Sequence, residues 1–148
     1  MSPAELEDYL HSHIPLSAAM AIHVDDISSE SVRLTAPLAP NINHRETVFG
    51  GSASAICILS AWSLLHLSLK AQGLESRVVI QSNTMDYSRP VTSQFSARSF
   101  FEEPAAWPRF IAILKRHGRA RIALGAVLEA DGEAAGRLHG EFVALRGA

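Results

Sequence analysis

Residues 41–62 read NINHRETVFGGSASAICILSAW, a polar segment that passes through Phe49-Gly50-Gly51 into a nearly unbroken apolar run. A helix that is apolar on nearly every side must be covered on nearly every side. The run is read as a buried helix starting near Gly50 to Ser52 and continuing to about Ala71, with Lys70 favouring its negative end and Gly73 as its C-terminal cap. The apolar part, 53–69, is short for a bilayer span of about 20 residues. It is also interrupted by Ser54, Ser60, Ser63, His66 and Ser68, which points to the core helix of a soluble protein with no membrane partner.

On the N-terminal side of this helix, MAIHVDDI (20–27) alternates Met20, Ile22 and Val24 against Ala21, His23 and Asp25. SVRLTAPL (31–38) alternates Val32, Leu34 and Ala36 against Arg33 and Thr35. Period-two alternation with one wet face signals antiparallel sheet, and SSE (28–30) is the hairpin turn between the two strands. Further out, Ser2 and Glu5 have capping-box spacing with Pro3 at the first helical position. Leu6, Tyr9 and Leu10 then form the apolar stripe of a short helix that ends before Pro15.

Beyond Gly73 the strand signals return. RVVIQSNTMDY (77–87) is a long strand, SRPVTS (88–93) turns it, and QFSARSFFEE (94–103) is the next. Pro108 suits a first helical turn, after which Trp107, Phe110, Ile111 and Leu114 line one side of a short helix that Gly118 stops. Asp131-Gly132, a strong hairpin cue, joins RARIALGAVLEA (119–130) to EAAGRLHGEFVALR (133–146). Ile122, Leu124, Ala126 and Leu128 share one face, and Arg137, His139 and Glu141 lie opposite Leu138 and Phe142. The expected class is α+β: residues 1–148 as one domain, with an antiparallel sheet wrapped around a long central helix.

Composition bounds the function. The chain has 148 residues, 47% hydrophobic and 19% charged, with a formal net charge of -2, which gives no general reason to expect nucleic-acid binding. The single cysteine, Cys57, allows neither an intrachain disulfide nor a cysteine metal cluster, and suits a reducing, cytoplasmic setting. MSPAELEDYL lacks the basic-then-apolar pattern of a leader. The seven histidines show no metal-ligand spacing with carboxylates, so no metal is expected.

The glycine pair opening a buried helix, then MDYSRPV (85–91), then HGRARIALGAVLEADGEAAGRLHGEFVAL (117–145), resembles the hotdog-fold acyl-CoA thioesterases. Phe49-Gly50-Gly51-Ser52 is similar to the helix entry of a thioesterase family that also occurs as the C-terminal domain of acetyltransferase fusions. The resemblance implies a hotdog domain that assembles as a homodimer or dimer of dimers with sites between subunits. It also implies hydrolysis of an acyl-CoA or acyl-carrier thioester, with no cofactor beyond the coenzyme A of the substrate.

The residues can be read in that light. A helix N-terminus presents unpaired N–H groups and about +0.5 of a charge, and glycine there allows a ligand close to the backbone. Gly50, Gly51 and Ser52 are therefore the oxyanion-hole candidates; the alternative is that the glycines only permit a tight turn or close helix–sheet packing. Many hotdog thioesterases have His-Gly-Gly where this chain has Phe49-Gly50-Gly51, and carry an acid about two turns into the helix, where this chain has ICILSAW (56–62). Without that acid, the candidates for activating or positioning water are Asn41, His44 and Glu46 in the loop and Asp86 on a strand. Asn43 and Thr47 are candidate substrate contacts, although Asn and Thr in such a loop also serve its own backbone. Asp86 has the alternative of a surface pair with Arg89. Arg116 and Arg119 are candidates for binding the phosphates of coenzyme A or an acidic carrier, the alternative being that Arg116 complements a helix C-terminus and Arg119 keeps a strand wet. Arg89 is a candidate substrate contact, with a structural role in the turn before Pro90 as its alternative. Two other functions stay open: an acyl-binding module without catalysis, and a 3-hydroxyacyl thioester dehydratase, which asks for a histidine facing an acid from the helix.

Overall fold

The computed structural model describes residues 1–147. Helix α1, Pro3–His13, opens as expected: Glu5 N donates to Ser2 Oγ at 3.1 Å, and Ser2 N donates to Glu5 Oε1 at 3.0 Å. Pro15 ends α1 but also begins a second short helix, α2, Pro15–Ala19. A proline preset at about −65° is as good at starting a helix as at stopping one. Residues 20–22 of the expected first strand are consequently spent on leaving α2, with Ala21 at φ 57°, and strand β1 begins only at His23 and runs to Ile27.

The remaining elements are β2 (Val32–Ala36), α3 (Gly50–Ala71), β3 (Ser76–Tyr87), β4 (Phe95–Phe101), α4 (Trp107–His117), β5 (Arg119–Ala130) and β6 (Glu133–Arg146). All strand pairings are antiparallel, in the order β1-β2-β4-β5-β6-β3. Asp131 and Gly132, at φ 53° and 76°, make the β5–β6 turn, the left-handed pair such a two-residue hairpin demands. Gly118, at φ 73°, closes α4 with its N–H on Leu114 O at 2.8 Å.

The sheet curves around α3, which touches β2, β3, β4, β5 and β6. Ile56, Cys57, Leu64, Leu65 and Leu69 of α3 are fully buried or nearly so against Leu34, Phe95, Leu124, Leu138 and Phe142 of the strands. Each fully buried leucine or phenylalanine contributes roughly 1.5–3 kcal/mol. α3 is long and apolar enough to cross a membrane, but here this chain's own sheet covers most of it. This is the hotdog fold. Ser60 does not bond back along its own helix: its Oγ donates across to Val32 O of β2 at 2.7 Å, tying helix to sheet.

On the side of α3 that the sheet leaves open, α1 adds partial cover. Tyr9 stacks on His66 at 5.3 Å between ring centroids, and His66 on Trp62 at 4.7 Å. Trp62 Nε1 donates to Val78 O of β3 at 2.8 Å. Burial, assisted by the Lys70 ammonium, holds the His66 imidazole below its ordinary pKa, because both disfavour the charged ring. The unfolded chain thus takes up a proton before the folded one. The stability carried by neutral His66 is full above the unfolded value of about 6.5 and is lost as pH falls from there toward the lowered folded value. Denaturant midpoints measured between pH 7.5 and 5 should fall more steeply in the wild type than in His66→Gln.

Candidate active site

The segment before α3 is a self-contained loop. Asn43 N donates to Thr47 O at 2.8 Å, and Asn43 Oδ1 accepts from Arg45 N at 2.9 Å and Thr47 N at 3.0 Å. Asn43 Nδ2 completes the ring by donating to Thr47 Oγ1 at 2.8 Å. Asn43 and Thr47 are thus engaged with each other. Asn41 is buried, and its Nδ2 donates to Met20 O at 3.0 Å and Pro37 O at 2.8 Å, so its amide joins this loop to the exit of α2. Its Oδ1 is buried without a partner among the described residues. His44 and Glu46 project into solvent beside this frame, Glu46 at φ 63°.

The loop hands the chain to α3 through two anchors: Val48 N donates to Val91 O and Phe49 N to Asn41 O, each at 2.8 Å. Within the first turn, Ser52 N and Ala53 N both donate to Phe49 O, at 2.9 and 3.1 Å. The amides of Gly50 and Gly51 meet no acceptor among the described residues. Of the three expected donors, the backbone of Ser52 is therefore already engaged. The Phe49 ring lies over Gly51, where a Cβ would come within 2.4 Å of Cε2. At Gly50 an added Cβ would make only ordinary contact, 3.5 Å from the Tyr87 hydroxyl. A side chain at 51 would thus require the exposed Phe49 ring to move, while the turn itself makes no demand for glycine there.

β3 delivers Tyr87, not Asp86, to this mouth. Met85 pairs with buried Leu138, Asp86 with Arg137 and Tyr87 with Gly136, so Tyr87 shares the α3 side with Met85, and Asp86 points to the outer face. Tyr87 Oη donates to Gly50 O at 3.0 Å. The register shift between Ile80 and Ser82 is the cause. One extra residue reverses which side chains face in; an unbroken alternation from buried Val78 would have turned Asp86 inward and Tyr87 out. That irregularity leaves no mark in the composition of the strand, which is why periodicity alone does not settle whether Tyr87 points inward.

Arg89 does not pair with Asp86. Its Nη2 donates to Ala130 O at 2.7 Å and its Nε to Ala134 O at 3.3 Å, with Glu133 at 3.6 Å, so it grips the β5–β6 turn. Beside it lies an open groove of about 340 Å³, lined by Val48, Ala53, Tyr87, Arg89, Val91 and Leu128. Arg116 and Arg119 sit at the other end of the molecule. Arg119 pairs with Leu145, opposite Arg77, whereas Leu128 pairs with Gly136, opposite Tyr87. The separation along β5 is nine residues (128 − 119), roughly 30 Å at the rise of a strand.

α3 carries no acid on any face, and its partly open stripe is Ala55, Ile58 and Trp62. Among the described residues no group of three or more His, Cys, Asp or Glu is placed to hold a metal. A sequence model of the family described as "Putative thioesterase (yiiD_Cterm)" matches residues 3–146. The chain belongs to this thioesterase family.

Solved structures agree with that assignment. A putative thioesterase from Shewanella oneidensis is 28% identical with a TM-score of 0.85, the match covering 97% of this chain and 96% of that one. A protein of unknown function from Chlorobaculum tepidum TLS is 25% identical at a TM-score of 0.90, covering 98% and 94%. A thioesterase from Haemophilus influenzae, 12% identical at a TM-score of 0.77 over 99% and 92%, shares the fold. Family and fold support thioester hydrolysis at a general level.

Cys57 lies outside this chemistry. Burial pushes its thiol up to about 12, so the neutral, unreactive form prevails at any physiological pH. A thiol reagent such as iodoacetamide at pH 8 should leave the native protein unmodified and label it once unfolded in guanidinium. Rapid native labelling would show that the α3 core opens more readily than its packing implies.

Proposed function

We propose that the chain hydrolyses acyl-CoA or acyl-carrier thioesters to free acid and thiol, with water as the nucleophile. The observation that carries this reading is the pair of open amides, Gly50 and Gly51, at the positive end of a 22-residue helix. When water adds to a thioester carbonyl, charge gathers on its oxygen, and fixed donors at that point lower the barrier. Losing one such donor costs about 3–4 kcal/mol in well-studied cases. The helix field adds to the same effect.

In this reading the water is activated from the loop, by His44 or Glu46, whose side chains are exposed and outside the loop's own bonding. Asp86 faces away from the mouth, and Asn41 is committed to holding the loop. The acyl chain follows the apolar groove beside Tyr87 and Val91. The carrier's phosphates call for the basic end of the sheet, which one chain keeps far from the mouth. β3 resolves that distance. It is a 12-residue edge strand with one side unpaired and Val79 exposed on it, and long unpaired edges are templates for pairing. Antiparallel pairing of β3 with β3 of a second copy would lay the Arg77 end of one sheet beside the Tyr87 end of the other, bringing Arg116 and Arg119 toward the opposite mouth. We therefore propose a homodimer, or a dimer of dimers, in the cytoplasm, with no cofactor of its own.

One observation favours a second reading, an acyl-binding module: α3 offers no carboxylate at all. Steady-state release of free thiol from a panel of acyl-CoA and acyl-carrier thioesters separates the two. Turnover is expected in the wild type. One of His44→Ala and Glu46→Ala should lose on the order of 10²-fold or more, the usual contribution of a general base, and Asp86→Ala should stay within about threefold of wild type. Saturable acyl-CoA binding with no thiol release on any substrate would replace hydrolysis by the binding role.

A further inference from the structure

We propose that Tyr87 is a positioning residue of this site, acting through the peptide that joins Gly50 to Gly51. The inference rests on the hydrolytic reading above and goes beyond it, because it assigns the aim and strength of the oxyanion donor to a hydroxyl that bonds the peptide behind that donor and not the reacting carbonyl.

The argument begins with one peptide plane. Gly50 C=O and Gly51 N–H belong to the same planar, trans unit and point in opposite directions. The Tyr87 hydroxyl donates to that carbonyl at 3.0 Å, and the N–H at the far side of the plane is one of the two open amides. Fixing the oxygen therefore fixes the direction of the donor. The bond also polarises it: a hydrogen bond to the carbonyl draws electron density along the amide and makes its N–H more positive, as in any hydrogen-bonded chain. The carbonyl has two lone pairs, so the tyrosine adds to the helix bond that this oxygen accepts from the residue four positions on.

Two features show why an outside tether matters here. The residues flanking the plane are both glycine, the residue whose own backbone restrains it least. The hydroxyl adds a restraint to a first turn otherwise held by its helix bonds alone, and an amide that moves less holds a developing charge better. The second feature is the environment of the phenol. Tyr87 is 56% exposed, so its hydroxyl has water available and has no need of Gly50 O to satisfy a buried group. The bond is instead a product of where β3 ends. Tyr87 is the last residue of the strand, and Ser88 N and Arg89 N continue onto Ala135 O at 2.9 and 3.4 Å. The phenol is thus held by β6 and, through Arg89, by the β5–β6 turn. This contact joins the helix mouth to the end of the strand, and the strand irregularity at Ile80–Ser82 is what turns the ring toward the helix.

The test compares wild type, Tyr87→Phe and a variant with a fluorinated tyrosine at 87, assayed at pH 6, where the more acidic phenol stays protonated. Tyr87→Phe should lower kcat about tenfold, less than removal of a direct donor, with KM within twofold. The fluorinated tyrosine, a stronger donor, should equal or exceed wild type. A trifluoromethyl ketone analogue of acyl-CoA, bound as its tetrahedral hydrate, should bind Tyr87→Phe about tenfold more weakly, while an unreactive thioether analogue binds both proteins alike. Equal kcat in wild type and Tyr87→Phe, or equal loss of affinity for the two analogues, overturns the role of Tyr87 and leaves hydrolysis standing. A wild type with neither turnover nor preference for the ketone overturns hydrolysis, and this inference with it. Thermal melts of the variants within about 2 °C of wild type exclude an origin in lost folding.

Discussion

The structure depends on enclosing a helix that has almost no polar side while keeping one end of it in reach of solvent. α3 drives the sheet to curve, because a flat sheet would cover only one of its faces. Five strands supply most of the cover, and α1 adds to it through the Tyr9–His66–Trp62 stack. A helix wrapped this way meets water most fully at its ends. At the N-terminal end the amides of Gly50 and Gly51 meet no acceptor among the described residues, so unspent hydrogen-bonding capacity gathers there. The site follows from the packing: the element that builds the core also presents the donors.

Much of the architecture could be read from residues alone, and for identifiable reasons. The capping box at Ser2 and Glu5, the Asp131-Gly132 turn and the stop at Gly118 each reflect a local bond or a backbone angle that the neighbouring residues dictate. The central helix was legible because its apolar run is too long for a strand and has serines where a bilayer span would have none. The short α2 was not, since Pro15 reads equally well as an end and as a beginning. The partner of Ser60 was not legible either, because a serine hydroxyl in a helix has two outlets, its own turn or a neighbour, and only tertiary packing brings Val32 O within 2.7 Å.

The site was legible in outline only. The glycine pair stands at the helix mouth as its spacing suggested, and the loop before it carries the polar residues. What each residue does is a matter of geometry. Asn43 and Thr47 bind each other, Arg89 holds a hairpin turn, and Arg116 and Arg119 lie at the far end of the sheet. The choice between Asp86 and Tyr87 turned on a single inserted residue in β3, which reverses the faces of everything after it. Period-two reading carries parity but cannot see where parity changes.

The loop centred on Asn43 has a consequence of a different kind. Its bonds run from the Asn43 side chain to backbone groups and to Thr47, and the side chains of His44, Arg45 and Glu46 take no part in them. Those three positions are therefore uncoupled from what keeps the loop shaped. Residues there can be exchanged over generations with little threat to the scaffold, although the left-handed backbone at 46 narrows the choice at that position. A domain built this way can carry different chemistry at its rim without disturbing the enclosed rod or the two amides it presents.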